Sequence, residues 1–375
     1  MKEKPSPTFI DLFAGIGGFH EAFRQLGAEC KFVCERDPAA RETYQAFHGT
    51  SWGDDFKVHR MDCNSPMSFH RDITELTQSN SDESGNSGTR RIRKYMGHFR
   101  IDVLCAGFPC QPFSQAGKRR GFDDETRGTL FYDICQIIHA NKPRAFFLEN
   151  VRGILNNGGC VLDPEGTPLP YGVTLKTILD KLFKPIKKGG LGYHPPGGRA
   201  TKKRGKLDPR EVAPGVYLVK ASDHGLPQNR QRVFIIGFKC SADAKKMQIP
   251  AILPKEQCES LSDILGVRSV YMGTKNKKER TIGFTLRCGG KRSPIDDRRN
   301  WDQYYVLNHD GTTGPLPLTP EIGLRLMGFP QDKFPEGISD TQAMKQLGNS
   351  VAVPAIKCWG REILQALGLM LNSTK

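Results

Sequence analysis

Residues 107–117, "GFPCQPFSQAG", place one cysteine between two prolines. Proline lacks an N–H and fixes φ, and it pushes the residue before it out of the helical region, so the segment is predicted to be a shaped loop. Cys110 would then be presented to its surroundings, and a presented thiol can act as a nucleophile once it is deprotonated. The alternative is a buried cysteine that serves as a small apolar residue.

A carboxyl group and two arginines could share a site with this thiol. Glu149 follows the apolar run "RAFFL", and Arg230 and Arg232 lie just before the run "VFIIG". A protonated carboxyl can bond to a ring nitrogen while a thiolate adds to the neighbouring carbon. An arginine can lower the cysteine pKa or hold a phosphate or a base. Glu149 could instead be a helix-start carboxylate, and the arginines ordinary surface residues.

The segment "DLFAGIGG" follows the first apolar run directly, and Glu35 ends the second run twenty residues after Gly15. Glycines let the backbone turn beside a ligand, and a carboxylate at the next strand end can accept both ribose hydroxyls. A dinucleotide site would have the pattern G-x-G-x-x-G, but the sixth position here is His20. The loop therefore fits a nucleoside without phosphates better, with S-adenosylmethionine as the candidate; a purely structural glycine turn is the alternative.

A thiol and a carboxyl beside a methyl donor suggest methylation of cytosine at C5. Cytosine C5 is a poor nucleophile until a group adds to C6, which a thiolate can do while a protonated carboxyl bonds to N3. Loss of the C5 proton and elimination of the thiol then restore the ring.

Alternating strand and helix patterns would position these residues. The strand patterns are "TFIDLF", "CKFVCE", "IDVLCAG", "RAFFLENV" and "RVFIIGF", and the helix patterns are "GFHEAFRQLG" and "GTLFYDICQIIHA". Repeated strand, helix, strand units predict an α/β fold with a mostly parallel sheet covered on both faces. Ligands bind at the carboxyl ends of such strands, where Cys110, Glu149 and the glycine loop would meet.

Three segments break this alternation. Residues 77–91 are polar and predict a surface insertion, and residues 184–206, rich in Gly, Pro and Lys, predict a flexible loop that is either solvated or in contact with phosphate. Residues 240–316 lose the alternation and collect basic residues, which predicts a second, smaller domain.

The composition is that of a globular protein, and its basic charge favours a polyanionic partner, although many basic proteins bind none. The 375 residues suggest two domains, and 55 Lys+Arg against 40 Asp+Glu give a net charge of +15. No apolar run approaches the roughly 20 residues that span a bilayer, and no apolar signal region follows the first lysines, so a cytoplasmic protein is expected. None of the 11 cysteines forms a Cys-x-x-Cys pair, so reduced thiols without a structural metal are expected.

Six blocks together carry a resemblance to a known family. They are "FIDLFAGIGGF", "GFPCQPFSQAG", "ENVRG", "QNRQRVFIIG", "LTPEIGLRLMGFP" and "QLGNSVAVP", in this order along the chain. The sequence resembles the DNA (cytosine-5) methyltransferase family of bacterial modification enzymes over most of the chain outside residues 240–316.

The resemblance implies a Rossmann-like S-adenosylmethionine-dependent fold and a set of site residues. Cys110 would be the nucleophile, Glu149 would contact the cytosine, and Arg232 would complete the pocket. Asp72 in "RDIT" is the best match for an acid that reads the adenine amino group, with Asp62 as a competing choice. The other cofactor residues would be Phe13, Ala14, Gly15, Gly17, Gly18, Glu35, Pro109, Leu130, Asn349 and Ser350.

The resemblance also implies how DNA would be held. Residues 114–129 match the family's mobile loop, which closes over a flipped base. The target-recognition domain would read the site from the major groove, where arginine to guanine is the commonest specific contact. Substrate contacts are expected from Ser114, Arg127, Arg230, Arg287, Arg298 and Arg299. The implied domains are 1–239 for catalysis, 240–316 for target recognition, 317–340 as a hinge, and 341–375 as a C-terminal helix that returns to the catalytic domain.

The expected function is methylation of a flipped cytosine in a short duplex DNA site, as the modification half of a restriction-modification system, by a monomer. A transfer RNA cytosine-5 methyltransferase can share this fold and these blocks. An inert DNA-binding paralogue is the third hypothesis, but such a protein would be expected to lose Cys110 or Glu149, and this chain has both.

Overall fold

The computed structural model describes residues 5–49, 68–77, 99–109, 130–163, 165–197, 208–272, 278–287, 304–316 and 318–370, with the single residues 89, 92, 93 and 96. Some residues predicted to act at the site lie outside these ranges. They are Asp62, Cys110, Ser114, Arg127, Arg298 and Arg299.

The strands of the described residues form three sheets. Their bounds are β1 (Thr8–Leu12), β2 (Glu29–Cys34), β3 (Ser68–His70), β4 (Val103–Gly107), β5 (Ala145–Val151), β6 (Cys160–Leu162), β7 (Pro168–Gly172), β8 (Glu211–Ala213), β9 (Val216–Lys220), β10 (Gln231–Phe238), β11 (Ser269–Met272), β12 (Lys278–Glu279), β13 (Tyr304–Leu307) and β14 (Thr313–Pro315). The main sheet has the order β3-β2-β1-β4-β5-β10-β9-β8. The first five strands in this order, from β3 through β2, β1 and β4 to β5, are parallel to one another, which confirms the predicted mostly parallel sheet. The last three, β10, β9 and β8, each pair antiparallel with the strand before them in the order.

Helices connect the strands and cover the sheet. Their bounds are α1 (Gly18–Arg24), α2 (Pro38–His48), α3 (Ile73–Thr77), α4 (Leu130–Asn141), α5 (Val173–Phe183), α6 (Ser241–Lys246), α7 (Leu261–Leu265), α8 (Pro320–Met327), α9 (Asp340–Asn349) and α10 (Val353–Ala366). Local signals fix several ends. Asp37 caps α2 by accepting from the N–H groups of Ala39 and Ala40, and Gly49 ends the helix with φ 64°.

The main sheet has a hydrophobic core on each face. Neighbouring residues of a strand point to opposite faces, so Phe9 belongs to one core and Ile10 to the other. Trp359 of α10 lies in the first core, and Phe131 of α4 lies in the second. This is why the central strands are apolar in nearly every position instead of alternating.

The C-terminal helix α10 lies against α1, at the start of the chain. A Cβ on Gly360 would lie 3.1 Å from the ring of Phe23, so the two helices are closely packed. The fully buried Trp359 donates from Nε1 to Nε2 of His224 at 3.2 Å, which ties α10 to the turn before β10. The last helix therefore completes the core that the first strand begins.

A separate antiparallel sheet lies within residues 240–316. Its order is β12-β11-β13-β14. Residues of this sheet, such as Val270 and Tyr304, join the same core as α8 and α10. The segment that loses the strand and helix alternation thus has a sheet of its own.

The prediction of a flexible loop over residues 184–206 is wrong for residues 184–197. Leu191 and Tyr193 are buried, and the Tyr193 hydroxyl donates to the Pro143 carbonyl at 2.7 Å. His194 exchanges two backbone hydrogen bonds with Phe238, of 2.7 and 2.9 Å. Ile186–Lys188 form one short 3-10 helix, and Leu191 and Tyr193 pack into the core, so this part of the chain is an ordered connection. Residues 198–206, and most of the predicted insertion 77–91, lie outside the described residues.

Within the described ranges, none of the helices combines the length and the apolar character needed to cross a membrane.

Candidate active site

The carboxyl ends of β1, β2, β4 and β5 meet at one edge of the main sheet. Gly107 of β4 is paired with Glu149 of β5, so the segment that leads to Cys110 leaves the sheet beside Glu149. Because β10 is antiparallel to β5, it contributes its first residues to this edge, and Arg232 lies opposite Val151. Because β10 runs in the opposite direction to β5, residues at the start of β10 lie beside residues at the end of β5.

Glu149 and Arg232 form a buried ion pair at this edge. Arg232 Nε lies 2.8 Å from Glu149 Oε1, and Glu149 is 7% exposed. Burial raises the pKa of the Glu149 carboxyl, and the guanidinium groups of Arg232 and Arg230 oppose the rise. A small recess beside the pair is lined by Val351 and Ala352. A carboxyl with a raised pKa is more readily protonated near neutral pH, the state in which it donates to a ring nitrogen.

Asn150 ties the segment before Cys110 to the strand that carries Glu149. Its Nδ2 donates to the Phe108 carbonyl at 2.9 Å, and its Oδ1 accepts from the Val151 N–H at 2.8 Å. Asn150 is 1% exposed, and its bond to the Phe108 carbonyl is buried. Asn150 was not among the predicted site residues, although it is the middle residue of "ENV".

Arg230, which was predicted to contact substrate, is bonded to backbone carbonyls in this structure. Its guanidinium is 1% exposed and donates to the backbone carbonyls of Leu286 at 2.7 Å, of Gly348 at 2.9 Å and of Ser350. These carbonyls belong to the segment after the small sheet's β12 and to the end of α9. The group is a buried clamp between distant parts of the chain.

Gln228 works with this clamp and was also missed by the sequence analysis. Its Oε1 accepts from the Leu286 N–H at 3.1 Å, and its Nε2 donates to the Leu326 carbonyl at 2.9 Å. The Leu286 residue is thus held at its N–H by Gln228 and at its carbonyl by Arg230. Arg287, which follows, is exposed.

The glycine loop after β1 has an open side and a closed side. Phe13 has φ 56°, in the left-handed region where a non-glycine residue costs roughly 1–2 kcal/mol, and such residues cluster at functional sites. Gly15 also has φ 56°, and a Cβ there would meet no described atom within 4 Å. A Cβ on Gly17, with φ 84°, would lie 2.0 Å from His48 Nε2. The loop therefore leaves space for a ligand at Gly15 and is supported at Gly17.

Glu35 connects the loop to the next strand. Its Oε2 accepts from the Gly15 N–H at 2.7 Å, and its Oε1 accepts from the Asp37 N–H at 2.7 Å. Burial raises the pKa of this carboxyl, while the backbone N–H groups of Asp37 and Gly15 oppose the rise. Each Glu35 oxygen has a further lone pair, so the carboxylate can also accept two ribose hydroxyls.

Asp72 lies at the same edge, just after β3. The Glu35 N–H donates to the His70 carbonyl at 3.2 Å, which brings the ends of β2 and β3 together. Arg36 Nε lies 3.5 Å from Asp72 Oδ2, while Asp72 Oδ1 accepts from the N–H and hydroxyl of Thr74. The chain thus brings Asp72 close to Glu35 despite the thirty-seven residues between them.

The C-terminal segment closes the other side of the loop. A Cβ on Gly18 would lie 2.6 Å from Val351 Cγ2 and 3.2 Å from Ser350 Oγ. Ser350 is buried and Asn349 is exposed. Pro109 is exposed at the end of β4, Leu130 begins α4, and Ala14 is buried within the loop. The space that the described residues leave at Gly15, the Glu35 carboxylate, and His20 in place of the last glycine of the dinucleotide pattern fit a nucleoside without phosphates, as in S-adenosylmethionine.

Comparisons with known proteins agree with this geometry. The model of the family described as C-5 cytosine-specific DNA methylase matches residues 7–182, 211–287 and 272–365. The type II methyltransferase M.HpaII of Haemophilus parainfluenzae is 35% identical over 393 residues, which cover 96% of this chain and 90% of that protein. The type II methyltransferase M.MspI of Moraxella sp is 30% identical over 368 residues, covering 96% and 71%.

The solved structure of the S. pombe Dnmt2 methyltransferase has the same fold. It matches with a TM-score of 0.57 and 16% identity, and the match covers 96% of this chain and 99% of that one. These comparisons confirm the predicted α/β methyltransferase fold, the enzyme class and the S-adenosylmethionine cofactor. Because the family model matches most of the chain and the relatives align with nearly all of it, the chain belongs to the C-5 cytosine-specific DNA methylase family.

Proposed function

We propose that this DNA cytosine-5 methyltransferase is the modification enzyme of a type II restriction-modification system and that it acts on one flipped cytosine in a short duplex site. The names of the similar type II methyltransferases support the biological setting. Flipping is needed because C6 of a stacked cytosine is out of reach of a protein side chain. The observation that carries the proposal is the buried Glu149–Arg232 pair beside the segment that leads to Cys110.

Cys110 is the proposed nucleophile. Its thiolate adds to C6 of the cytosine, which forms a covalent Sγ–C6 bond and makes C5 electron-rich. The Asn150 bond to the Phe108 carbonyl supports this role, because it fixes the backbone two residues before the thiol. After C5 is methylated, loss of the C5 proton and departure of the thiolate restore the aromatic ring.

Glu149 and Arg232 hold the cytosine during these steps. The protonated Glu149 carboxyl donates to ring N3, which withdraws electrons from C6 and assists the addition. Arg232 fixes the carboxyl through Nε and has further N–H groups for the O2 carbonyl of the base. The raised pKa of Glu149 supports its acting as a donor.

The glycine loop and Glu35 bind the cofactor. When bound, S-adenosylmethionine supplies an electrophilic methyl group. Glu35 accepts the ribose hydroxyls, Asp72 accepts from the adenine amino group, and the Gly15 backbone allows close approach. The remaining cofactor contacts are proposed for Phe13, Ala14, Gly17, Gly18, Pro109, Leu130, Asn349 and Ser350.

Residues 240–316 read the DNA site. Arg287 is exposed next to the clamped Leu286, which supports its contacting DNA close to the catalytic pocket. Arg298 and Arg299, together with Ser114 and Arg127 of the loop 114–129, are further proposed contacts. In this proposal residues 1–239 form the catalytic domain, 317–340 the hinge and 341–375 the returning C-terminal segment.

We further propose that the protein acts on duplex DNA as a monomer in the cytoplasm. The net charge of +15 supports binding to a polyanion. Sedimentation equilibrium with and without duplex DNA tests the oligomeric state, and a dimer in either sample would contradict the proposal.

The function is tested by measuring methyl transfer to two alternative substrates, DNA and transfer RNA, in separate reactions. Purified protein and tritiated S-adenosylmethionine are incubated with bacterial duplex DNA or with total transfer RNA, and bisulfite sequencing of the DNA locates the methylated cytosine. Label is expected in DNA at one short sequence, and Cys110→Ala is expected to give none. Label in transfer RNA alone would contradict the proposal.

A further inference from the structure

Three ring side chains beneath the glycine loop take no part in the proposed chemistry. His20 and His48 stack with ring centroids 4.2 Å apart and an interplanar angle of 13°. His20 Nδ1 is hydrogen-bonded to the hydroxyl of Tyr44, which is fully buried. We call His20, Tyr44 and His48 the histidine stack.

His48 is the member of the histidine stack that touches the loop. Its Nε2 lies 3.2 Å from the Ile16 carbonyl oxygen. A carbonyl only accepts, so Nε2 must carry the ring proton. The other ring nitrogen, Nδ1, is buried and has no hydrogen-bond partner among the described residues. Burial lowers the pKa of His48 to about 4, so the ring is neutral near pH 7.

The same ring supports the turn at Gly17. A Cβ at this position would lie 2.0 Å from His48 Nε2 and 2.9 Å from Tyr44 Cε2. The loop backbone therefore rests directly on the histidine stack. A change in the position of the ring must change the position of the loop.

Helix α2 connects the two halves of the cofactor site. Just before it begins, the Asp37 N–H donates to Glu35 Oε1 at 2.7 Å. At its end, His48 donates to Ile16 in the glycine loop. A helix is stiff over this length, so the ribose-binding carboxylate and the loop are held at a fixed separation.

We propose that His48 is a positioning residue for the cofactor site: its Nε2–H holds the Ile16 carbonyl and thereby sets the shape of the glycine loop, residues 13–18. His48 acts through Ile16 and does not itself touch the cofactor. The inference rests on the proposed assignment of this loop and of Glu35 to S-adenosylmethionine.

Two variants separate the hydrogen bond from the bulk of the side chain. In His48→Gln the amide nitrogen reaches about where Nε2 lies, whereas in His48→Asn the amide reaches only the region of Nδ1. Calorimetric titration with S-adenosylhomocysteine measures binding without turnover. His48→Asn is expected to weaken binding about tenfold, because a buried carbonyl loses its partner, and His48→Gln to stay within about twofold of wild type.

Steady-state kinetics provide a readout that general destabilisation would not reproduce. His48→Asn is expected to raise KM for S-adenosylmethionine about tenfold, with kcat and KM for DNA unchanged. Should His48→Asn fail to fold, His48→Leu replaces it, since it also lacks the donor.

Wild-type affinity in His48→Asn would overturn the inference. So would an equal loss in both variants, or a loss in His48→Asn that extends to kcat and to KM for DNA. If the wild-type protein itself did not bind S-adenosylhomocysteine, the proposed cofactor site would be wrong and the inference would fall with it, so the two failures are distinguishable.

Discussion

At the scale of single residues, the site depends on a carboxyl group whose protonation is favoured by its surroundings. Glu149 is buried, which raises its pKa, and Arg232 holds one of its oxygens at 2.8 Å. Burial favours the protonated carboxyl and the ion pair opposes it, and the proposed contact with a base nitrogen needs the protonated form.

Replacing Glu149 tests this role. Glu149→Gln keeps the shape of the side chain but removes the acid, so kcat is expected to fall about 10²–10⁴-fold, the range of a general acid or base. Single-turnover methylation of duplex DNA measures the chemical step. Affinity for S-adenosylhomocysteine should be unchanged as a control, and a kcat within threefold of wild type would contradict the assignment.

At the scale of elements, side chains join segments that are far apart in the sequence. Asn150 fixes the segment between β4 and the nucleophile to β5, while Arg230 joins the start of β10 to Leu286 and to the end of α9. These bonds hold the segment after β4, the segment around Leu286 and the end of α9 in fixed positions relative to the main sheet.

Asn150→Asp tests the first of these links. A carboxylate cannot donate to the Phe108 carbonyl, although it can still accept from the Val151 N–H. We expect kcat to fall about tenfold or more because the nucleophile loop loses its anchor, with no change in the affinity for S-adenosylhomocysteine. An unchanged kcat would show that the link does not position the nucleophile.

Arg230→Lys tests the second link. One ammonium group cannot serve the three carbonyls that the guanidinium bonds, so a loss of about 2–4 kcal/mol in the free energy of unfolding is expected from urea denaturation. The matched control is Arg232→Lys, which should lower kcat with a smaller effect on stability. Equal stability of wild type and Arg230→Lys would contradict the clamp.

The sequence predicted the elements better than the contacts between them. The strands that precede Gly15 and Glu35, and the strand that contains Glu149, follow from apolar runs and glycine signals, and their shared edge follows from parallel pairing. The antiparallel direction of β10 has no local signal, because an apolar run reads the same in both directions. The contacts of the two arginines have no local signal either. Arg230 is buried and bonded to backbone carbonyls, whereas Arg232 forms an ion pair with Glu149.

At the scale of the whole molecule, the C-terminal helix closes the fold. Trp359 of α10 fills the core beside β9 and β10 and donates to His224. The glycine loop touches Val351 at the start of the same segment. The proposed cofactor site therefore includes residues from both the first and the last described segments of the chain.

The bond between Trp359 and His224 predicts a dependence of stability on pH. Burial lowers the pKa of His224 to about 4, from an ordinary value of 6.5. Below pH 6.5 His224 becomes protonated in the unfolded chain but stays neutral in the folded protein. The contribution of neutral His224 to stability is therefore present above pH 6.5 and is lost as the pH falls towards 4.

Urea denaturation at pH 7 and at pH 5 measures this effect. His224→Gln keeps an acceptor for the indole but does not titrate, so it should lose less stability than wild type between these two pH values. The difference is expected to be about 2 kcal/mol, from about 1.4 kcal/mol per pH unit below 6.5. Equal losses in the two proteins would contradict the assigned role of His224.

The central claim is that Cys110 forms a covalent bond with C6 of a cytosine in duplex DNA. A duplex with 5-fluorocytosine at the methylated position tests it most directly, because fluorine cannot leave as a cation and the adduct therefore persists. With S-adenosylmethionine, intact-mass analysis and peptide mapping should show one DNA adduct, attached at Cys110, and none with Cys110→Ala. No adduct, or an adduct at another cysteine, would contradict the account.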